Sequence, residues 1–180
     1  MKFSRVPEFD ATDRAILELL QENCKQPLAA IGQKVGLSPP AVVERVHKLE
    51  EAGVIIGYVA LVDARRLGKD VTAFIGVTTE TPRAIATLER AIAAIDDVLE
   101  CHHVTGAYTF LLKVKAENTS ALEGLIERIR TLEGVSRTET LVALSTGAER
   151  TRIPLDARDE FVDRPPRRGR QPRPPGARAR

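Results

Sequence analysis

The side chains best suited to chemistry in this sequence are the run from Glu100 to His103 and one further cysteine, Cys24. Neighbouring residues of a strand point to opposite faces, so His102 and His103 are poorly placed to ligate one metal ion. The two cysteines, Cys24 and Cys101, have neither the spacing of metal ligands nor that of a disulfide framework. We therefore expect no metal site. We also expect no catalytic residues and no enzyme, because the sequence has no nucleophile–base pair, phosphate-binding loop or paired carboxylates.

A second group of residues marks the start of a helix, in the stretch LSPPAVVERVHKLEEAGVI. Ser38 can accept a hydrogen bond as the N-cap, and Pro39 is suited to the first helical position. Gly36, just before them, can adopt the left-handed conformation that ends a preceding helix over Leu28–Gly36. These signals predict two short helices joined by a tight turn, which is a helix-turn-helix.

The second of these helices has one apolar stripe, formed by Val42, Val46 and Leu49. Its other side chains face outward, with Arg45 at the edge of the stripe. A helix held by its partner, with its N-terminal residues outward, has the geometry that enters a DNA major groove. The start of such a helix also offers N–H groups to a phosphate. The predicted DNA-binding residues are Ser38, Pro39, Pro40, Val43, Glu44, Arg45, His47 and Lys48.

The charge of this half gives little support to strong DNA binding. Residues 1–62 contain seven Lys and Arg against eight Asp and Glu. The outward residues include no Asn or Gln to pair with adenine, and Glu44 would repel phosphate unless it meets a cytosine amino group. By themselves, these residues support only weak DNA binding, or recognition of DNA shape rather than of base edges.

The last seventeen residues, 164–180, have the opposite character, with seven arginines and no acid. Subtracting their charge from the total of +2 leaves −5 for residues 1–163. So little of the segment is apolar that we predict a disordered tail over residues 156–180. Two roles are open: sequence-independent attraction to DNA phosphates, or simple solubilisation.

The predicted helices and strands that position these residues form two groups, one before residue 71 and one from residue 71 onward. Phe9–Asn23 is predicted to be a helix, with Asp10 as N-cap and Asp13 in its first turn. Val54–Asp63 is rich in β-branched residues and is predicted to be a strand. From residue 71 onward the order is β-α-β-β-α-β, which is the ferredoxin-like arrangement of an antiparallel sheet with two helices on one face. The predicted elements are strands over 71–80, 98–104, 108–115 and 135–144, and helices starting at Thr81-Pro82 and spanning 119–132.

Three stretches of the chain resemble the Lrp/AsnC (feast/famine) family of transcription regulators. They are FDATDRAILELLQEN, VGLSPPAVVERVHKLEEAGVIIGYVALVDARRLG and VLECHHVTGAYTFLLKV, and the resemblance extends over about residues 9–155. It implies an α+β protein with an N-terminal winged helix-turn-helix domain and a C-terminal ferredoxin-like βαββαβ domain, called RAM. Arg45 matches a position where the family usually carries Arg. Its role is open between a phosphate contact and an ion pair with an acidic residue of the first helix.

The resemblance also implies partners. Sheets of two subunits face each other in a homodimer that binds pseudo-palindromic double-stranded DNA. Dimers assemble further into octamers, and amino-acid effectors bind where dimers meet. The effector loop corresponds to Thr105, Gly106, Ala107, Tyr108 and Thr109. The family commonly has Asp at the position of Ala107 or Thr109. A hydroxyl offers a weaker contact to an ammonium group than a carboxylate does, which leaves open a different ligand, weak binding or no response. Gly106 also has a simpler interpretation, as a tight turn.

These observations predict four segments: a helix-turn-helix domain over 1–53, a wing strand and linker over 54–70, a RAM-type domain over 71–155 and the basic tail over 156–180. The predicted function is that of a sequence-specific transcription regulator with no cofactor. One alternative is a nucleoid-like architectural protein with little sequence preference. Another is an enzyme of tetrapyrrole metabolism, since some share this two-domain architecture, but no basic pocket for an acidic tetrapyrrole is evident.

Two further features concern location. No apolar run approaches the roughly 18 residues needed to span a bilayer, and the N-terminus MKFSRVPEFD has no apolar region typical of a signal peptide. Two isolated cysteines are typical of a reducing compartment. We therefore expect a cytoplasmic protein with no membrane partner.

Overall fold

The computed structural model describes residues 9–156, which form two compact units. Of these residues, the first unit comprises 9–60 and 150–156, and the second comprises Leu61–Glu149. Residues 150–155, predicted to belong to the C-terminal domain, thus pack with the first unit. Except for Asp156, the predicted tail over 156–180 lies outside the described residues.

The first unit contains three helices: α1 (Ala11–Glu22), α2 (Leu28–Val35) and α3 (Pro39–Glu51). At the start of α1, the Asp10 carboxylate accepts from the Asp13 N–H at 2.8 Å, and the Asp13 carboxylate accepts from the Asp10 N–H at 3.2 Å. This reciprocal capping box satisfies two N–H groups that a helix end leaves unpaired. The predicted cap at Asp10 is therefore confirmed.

A small apolar core holds the three helices together. Leu28 and Val35 of α2 pack partly buried against it. Its buried members come from all three helices. They are Ile16, Leu20, Ile31, Val42 and Val46.

The second unit is a four-stranded antiparallel sheet with two helices. Its strands are β1 (Val71–Thr78), β2 (Val98–His103), β3 (Phe110–Ala116) and β4 (Arg137–Val142), and its helices are α4 (Ile85–Ala93) and α5 (Thr119–Arg130). The spatial order of the strands is β2-β3-β1-β4. This order, with the sequence β-α-β-β-α-β, confirms the predicted ferredoxin-like fold.

The core of this unit lies between the helices and one face of the sheet. Alternate residues of β1 and β3 point into it, as the pleat of a strand requires. The side chains there with no exposed surface are Ala73, Ile75, Val77, Phe110, Leu112, Val114, Ile92 and Ile129. The opposite sheet face is not covered by either helix.

One predicted element is wrong, and another begins differently from the prediction. Val54–Asp63 forms no strand; within residues 9–156 it has no partner to share a hydrogen-bond ladder, although its residues are β-branched. Ile55 packs partly buried against the helical core, but the later apolar side chains stay in solvent, with Val59 and Leu61 each 75% exposed. The helix predicted to start at Thr81-Pro82 begins instead as a 3₁₀ turn over Pro82–Ala84, and the Thr81 side chain caps nothing.

Within the described part of the chain, no helix is long and apolar enough to cross a membrane.

Candidate nucleic-acid interface and ligand loop

The turn between α2 and α3 depends on two glycines. Gly36 ends α2 in the left-handed conformation, with φ 71°. A Cβ on Gly32 would lie 2.6 Å from the Leu37 carbonyl oxygen. The backbone of α2 and the turn before α3 therefore lie close together, and this contact fixes where α3 projects from the unit.

The start of α3 differs from the prediction in one respect. Pro39 and Pro40 occupy its first positions as expected, but the Ser38 side chain makes no capping hydrogen bond. Prolines have no N–H, so among the first three helical residues only Ala41 carries one. The start of α3 thus offers far fewer donors to a phosphate than the sequence argument assumed.

The two faces of α3 are as predicted. Val42, Val46 and Leu49 are buried. All the predicted outward residues are exposed except Arg45, which is half-buried at the edge of the buried stripe. The exposed set is Ser38, Pro39, Pro40, Val43, Glu44, His47 and Lys48.

Arg45 is held by the two carboxylates of the α1 capping box. Its Nη1 donates to Asp10 Oδ2 at 2.8 Å and to Asp13 Oδ1 at 2.7 Å. Asp13 is buried, with 7% of its surface exposed. The ion pair with the first helix, one of the two roles left open for Arg45, is therefore confirmed.

The protonation of this cluster follows from its contacts. The hydrogen bonds to Asp13 and Asp10 raise the pKa of Arg45. Burial acts to raise the pKa of Asp10, but the Asp13 N–H and the Arg45 guanidinium outweigh it, so this pKa lies below its ordinary value of 3.8. Asp10 and Arg45 are therefore both charged near neutral pH.

The other basic side chains of α3 also lie beside acids of the same helix. Lys48 Nζ is 2.7 Å from Glu44 Oε1, and His47 Nδ1 is 3.4 Å from Glu51 Oε2. The hydrogen bond from Lys48 lowers the pKa of Glu44. The i, i+4 pair of Lys48 and Glu44 neutralises charge locally, so it gives the outer face of α3 no positive excess.

Two contacts of the first unit were missed by the sequence argument. The Gln21 side-chain amide pairs with the backbone of Ile153, donating to its carbonyl at 3.0 Å and accepting from its N–H at 2.7 Å. The Tyr58 hydroxyl donates to Glu50 at 2.8 Å, and burial together with this carboxylate raises the pKa of Tyr58 to about 12. No local sequence signal marks either pair.

A cleft of about 590 Å³ lies beside the Arg45 cluster, between the start of α1 and α3. Its apolar lining includes Phe9, Leu37 and Leu49, and its charged rim includes Glu44 and Lys48. Sequence reasoning did not find it, because its walls come from separate parts of the unit.

The predicted effector loop joins β2 to β3. Thr105, Gly106 and Ala107 are exposed, and Gly106 has a φ of 113° that favours glycine. The Thr109 hydroxyl accepts from the Thr79 N–H at 3.1 Å, and the Thr109 N–H donates to the Val77 carbonyl at 2.8 Å. Thr109 thus ties the loop to the end of β1.

Tyr108 and Phe110 lie on opposite faces of the sheet, although a regular strand over 108–115, as predicted, would place both on one face. Phe110 is fully buried in the core, whereas the Tyr108 ring lies on Gly76, where a Cβ would approach it to 2.5 Å. Burial, and then the nearby Glu139 carboxylate, raise the pKa of Tyr108. The irregular backbone before β3 breaks the alternation on which the prediction rested.

His102 and His103 make contacts on opposite faces of the sheet, as predicted from the alternation of side chains along a strand. His102 Nε2 lies 3.0 Å from Glu100 Oε2, while the His103 ring packs 5.3 Å from that of Phe110. Burial raises the pKa of the Cys101 thiol to about 11, which makes it unreactive near neutral pH. No group of three His, Cys, Asp or Glu side chains that could hold a metal ion occurs among residues 9–156.

The uncovered sheet face carries both charged and apolar groups. Lys113 forms ion pairs with Glu100 and Glu149, and Lys115 lies 3.3 Å from Glu149. Beside them, Phe74 is 36% exposed and Leu141 is 53% exposed. These residues pair across β1, β3 and β4, so they form one continuous surface.

Comparison with known proteins assigns a family to each unit. The AsnC-type helix-turn-helix domain matches residues 9–50, and the Lrp/AsnC ligand-binding domain matches residues 72–153. The regulatory protein AsnC of Escherichia coli K12 is 36% identical over 147 residues, covering 79% of this chain and 94% of AsnC. The HTH-type transcriptional regulator FL11 of Pyrococcus horikoshii is 32% identical over 151 residues, covering 84% of this chain and 99% of the regulator.

Solved structures agree with these matches. The structure of E. coli AsnC has a TM-score of 0.76 and 34% identity, and covers 81% of this chain and 98% of AsnC. The Mycobacterium tuberculosis feast or famine regulatory protein, complexed with L-methionine, has a TM-score of 0.76, 30% identity and coverage of 81% and 98%. The chain therefore belongs to the Lrp/AsnC family of transcriptional regulators.

Proposed function

We propose that this protein binds specific sites on double-stranded DNA and regulates transcription there, with α3 in the major groove. The observation that carries the proposal is the exposure of one face of α3, from Ser38 to Lys48, on a helix fixed by the Gly32–Leu37 contact and the Arg45 ion pairs. A fixed helix with outward N-terminal residues is what groove recognition requires. Because the protein acts on chromosomal DNA, we place it in the cytoplasm, and we assign it no enzymatic activity.

The active form is a homodimer, which matches two half-sites of a pseudo-palindrome. Two surfaces support this proposal: the uncovered sheet face with Phe74 and Leu141, and the extended segment Val54–Asp63 with exposed Val59 and Leu61. A second copy would remove both from solvent and would supply the strand partner that the wing segment lacks. Octamers would then form from dimers.

A small molecule that regulates the protein binds to the second unit. Its relatives include the M. tuberculosis protein that was solved with L-methionine. The ligand is proposed to lie at the loop over residues 105–109. This loop has no carboxylate, and the Thr109 hydroxyl already accepts the Thr79 N–H. An amino-acid effector would thus be held through neutral hydrogen bonds, which are weaker than charge-assisted ones.

The alternative function is that of an architectural protein that binds DNA with little sequence preference. It is favoured by the contrast between the seven arginines of residues 164–180 and the net charge of −5 on the rest of the chain. Binding through such a tail would depend on phosphate charge alone.

Footprinting of the purified protein on the DNA upstream of its own gene tests these proposals. A protected palindrome that survives competition by random DNA is the expected result, and equal binding to random DNA would favour the architectural role. Repeating the footprint with each amino acid tests the effector, and sedimentation across concentrations tests the dimer and octamer.

A further inference from the structure

The N-terminal half of the exposed face of α3 is apolar. Pro39, Pro40 and Val43 are all exposed, and Val43 keeps 50% of its surface in solvent. Residues three and four apart are neighbours on a helix, so these three side chains form one continuous patch. The patch occupies the part of a recognition helix that contacts base edges.

Polar recognition by this helix is limited by its own contacts. Lys48 is engaged by Glu44 and Arg45 by Asp10 and Asp13, and the two prolines remove N–H donors. A guanine is usually recognised by a free Arg or Lys, and an adenine by Asn or Gln. The tip of α3 instead offers hydrocarbon.

We infer that this patch, centred on Val43, recognises C5-methyl groups in the major groove, and hence thymine within the DNA site. The inference rests on the proposed function. Thymine is the standard base with a methyl group in the major groove, and apolar side chains are its usual contacts. Contact between the methyl group and Val43 removes both from water, which is favourable in proportion to the area buried. 5-Methylcytosine carries the same methyl group and is the second source of this chemistry.

The test begins with a duplex selected by the full-length protein from a random 30-bp pool. Each thymine of the enriched site is then replaced by deoxyuridine, which removes only the methyl group. At one or two positions per half-site we expect affinity to fall roughly fourfold to fifteenfold, the value of burying about one or two methylene equivalents. Flanking thymines serve as the DNA control, and their replacement should change nothing.

A protein variant links the effect to the patch. Val43→Ala removes exposed hydrocarbon from a helix that alanine favours, so it should fold and bind thymine and deoxyuridine duplexes equally. Leu67→Ala is the matched control, since Leu67 is a similarly exposed aliphatic residue, 65% exposed, in the other unit. It should keep the full preference for thymine.

The results distinguish failure of the proposed function from failure of the inference about Val43. If no sequence is enriched from the pool, the proposed sequence-specific function fails, and the inference fails with it. If a site is enriched but deoxyuridine binds as well as thymine, or if Val43→Ala keeps the thymine preference, the inference alone is refuted. Placing 5-methylcytosine at the sensitive positions distinguishes the two methyl sources: recovery relative to cytosine shows that the patch recognises the methyl group on either base, and no recovery shows dependence on thymine itself.

Discussion

Replacing Arg45 with Gln tests whether this residue positions α3 or contacts DNA. The substitution removes the guanidinium that pairs with Asp13 at 2.7 Å and Asp10 at 2.8 Å. The Asp13 side chain is only 9% exposed, so losing its charged partner should cost about 2 kcal/mol, in the usual range for a hydrogen bond to a charged group. Asp10, with its side chain 42% exposed, adds little because solvent screens the pair.

Amide hydrogen exchange over residues 9–53 measures this cost. A loss of about 2 kcal/mol corresponds to exchange roughly thirtyfold faster in the most protected amides of α1 and α3. Arg66→Gln is the control, because Arg66 is 86% exposed and lies 3.6 Å from Asp63, and it should change exchange very little.

The salt dependence of DNA binding distinguishes the two roles of Arg45. Each phosphate contact contributes a slope of about −0.9 to the plot of log K against log salt. A positioning residue leaves this slope unchanged while affinity falls. If Arg45→Gln left exchange unchanged and reduced the slope by about one phosphate contact, our assignment of Arg45 would be wrong.

The cluster also predicts a pH dependence. The folded-state pKa of Asp10 lies below its ordinary value of 3.8, so its contribution to stability is present above that pH and is lost as the pH falls through the folded pKa. In Arg45→Gln this acid-sensitive part of the stability should shrink, because a cause of the lowered pKa is gone.

Three further changes give distinct outcomes. Val46→Asp places a charge at a buried position and should unfold the first unit, while NMR spectra retain the signals of the sheet domain; full DNA binding by this variant would contradict the packing. Gly76→Ala should displace the Tyr108 ring and bring its raised pKa back toward 10.0, measured by ultraviolet titration in a Tyr58→Phe background; an unchanged titration would show that the ring tolerates the new methyl group. Deleting residues 164–180 should weaken DNA binding and flatten its salt dependence, whereas an unchanged slope would rule out a phosphate role for the tail.

The parts of the fold that sequence predicted well are those set by neighbours in the chain. The caps and turns at Asp10, Gly36 and Pro39 follow from backbone rules that act within a few residues. The buried stripe of α3 follows from helical spacing. The order of elements in the second unit was likewise readable, because each strand and helix carries its own periodicity.

The predictions that were wrong or left open depend on contacts and backbone geometry that neighbouring residues do not determine. The composition of Val54–Asp63 indicates a strand but says nothing about whether a partner strand is available. Tyr108 and Phe110 have the spacing of one face, yet the irregular loop before β3 reverses one of them. The pairing of Arg45 with Asp10 and Asp13 was one of two open roles, since its distance in sequence leaves the geometry undetermined.

The pair between Gln21 and Ile153 has a consequence for synthesis of the chain. Its two residues are 132 positions apart, although both belong to the first unit. At a translation rate of about 5–20 residues per second, Gln21 leaves the peptidyl-transferase centre roughly ten seconds before its partner is made. The three helices can form in that interval. The hydrogen bonds between Gln21 and Ile153 can form only after residue 153 has been translated. A fragment released before residue 153 would contain α1, α2 and α3 without the hydrogen bonds that Ile153 makes to α1.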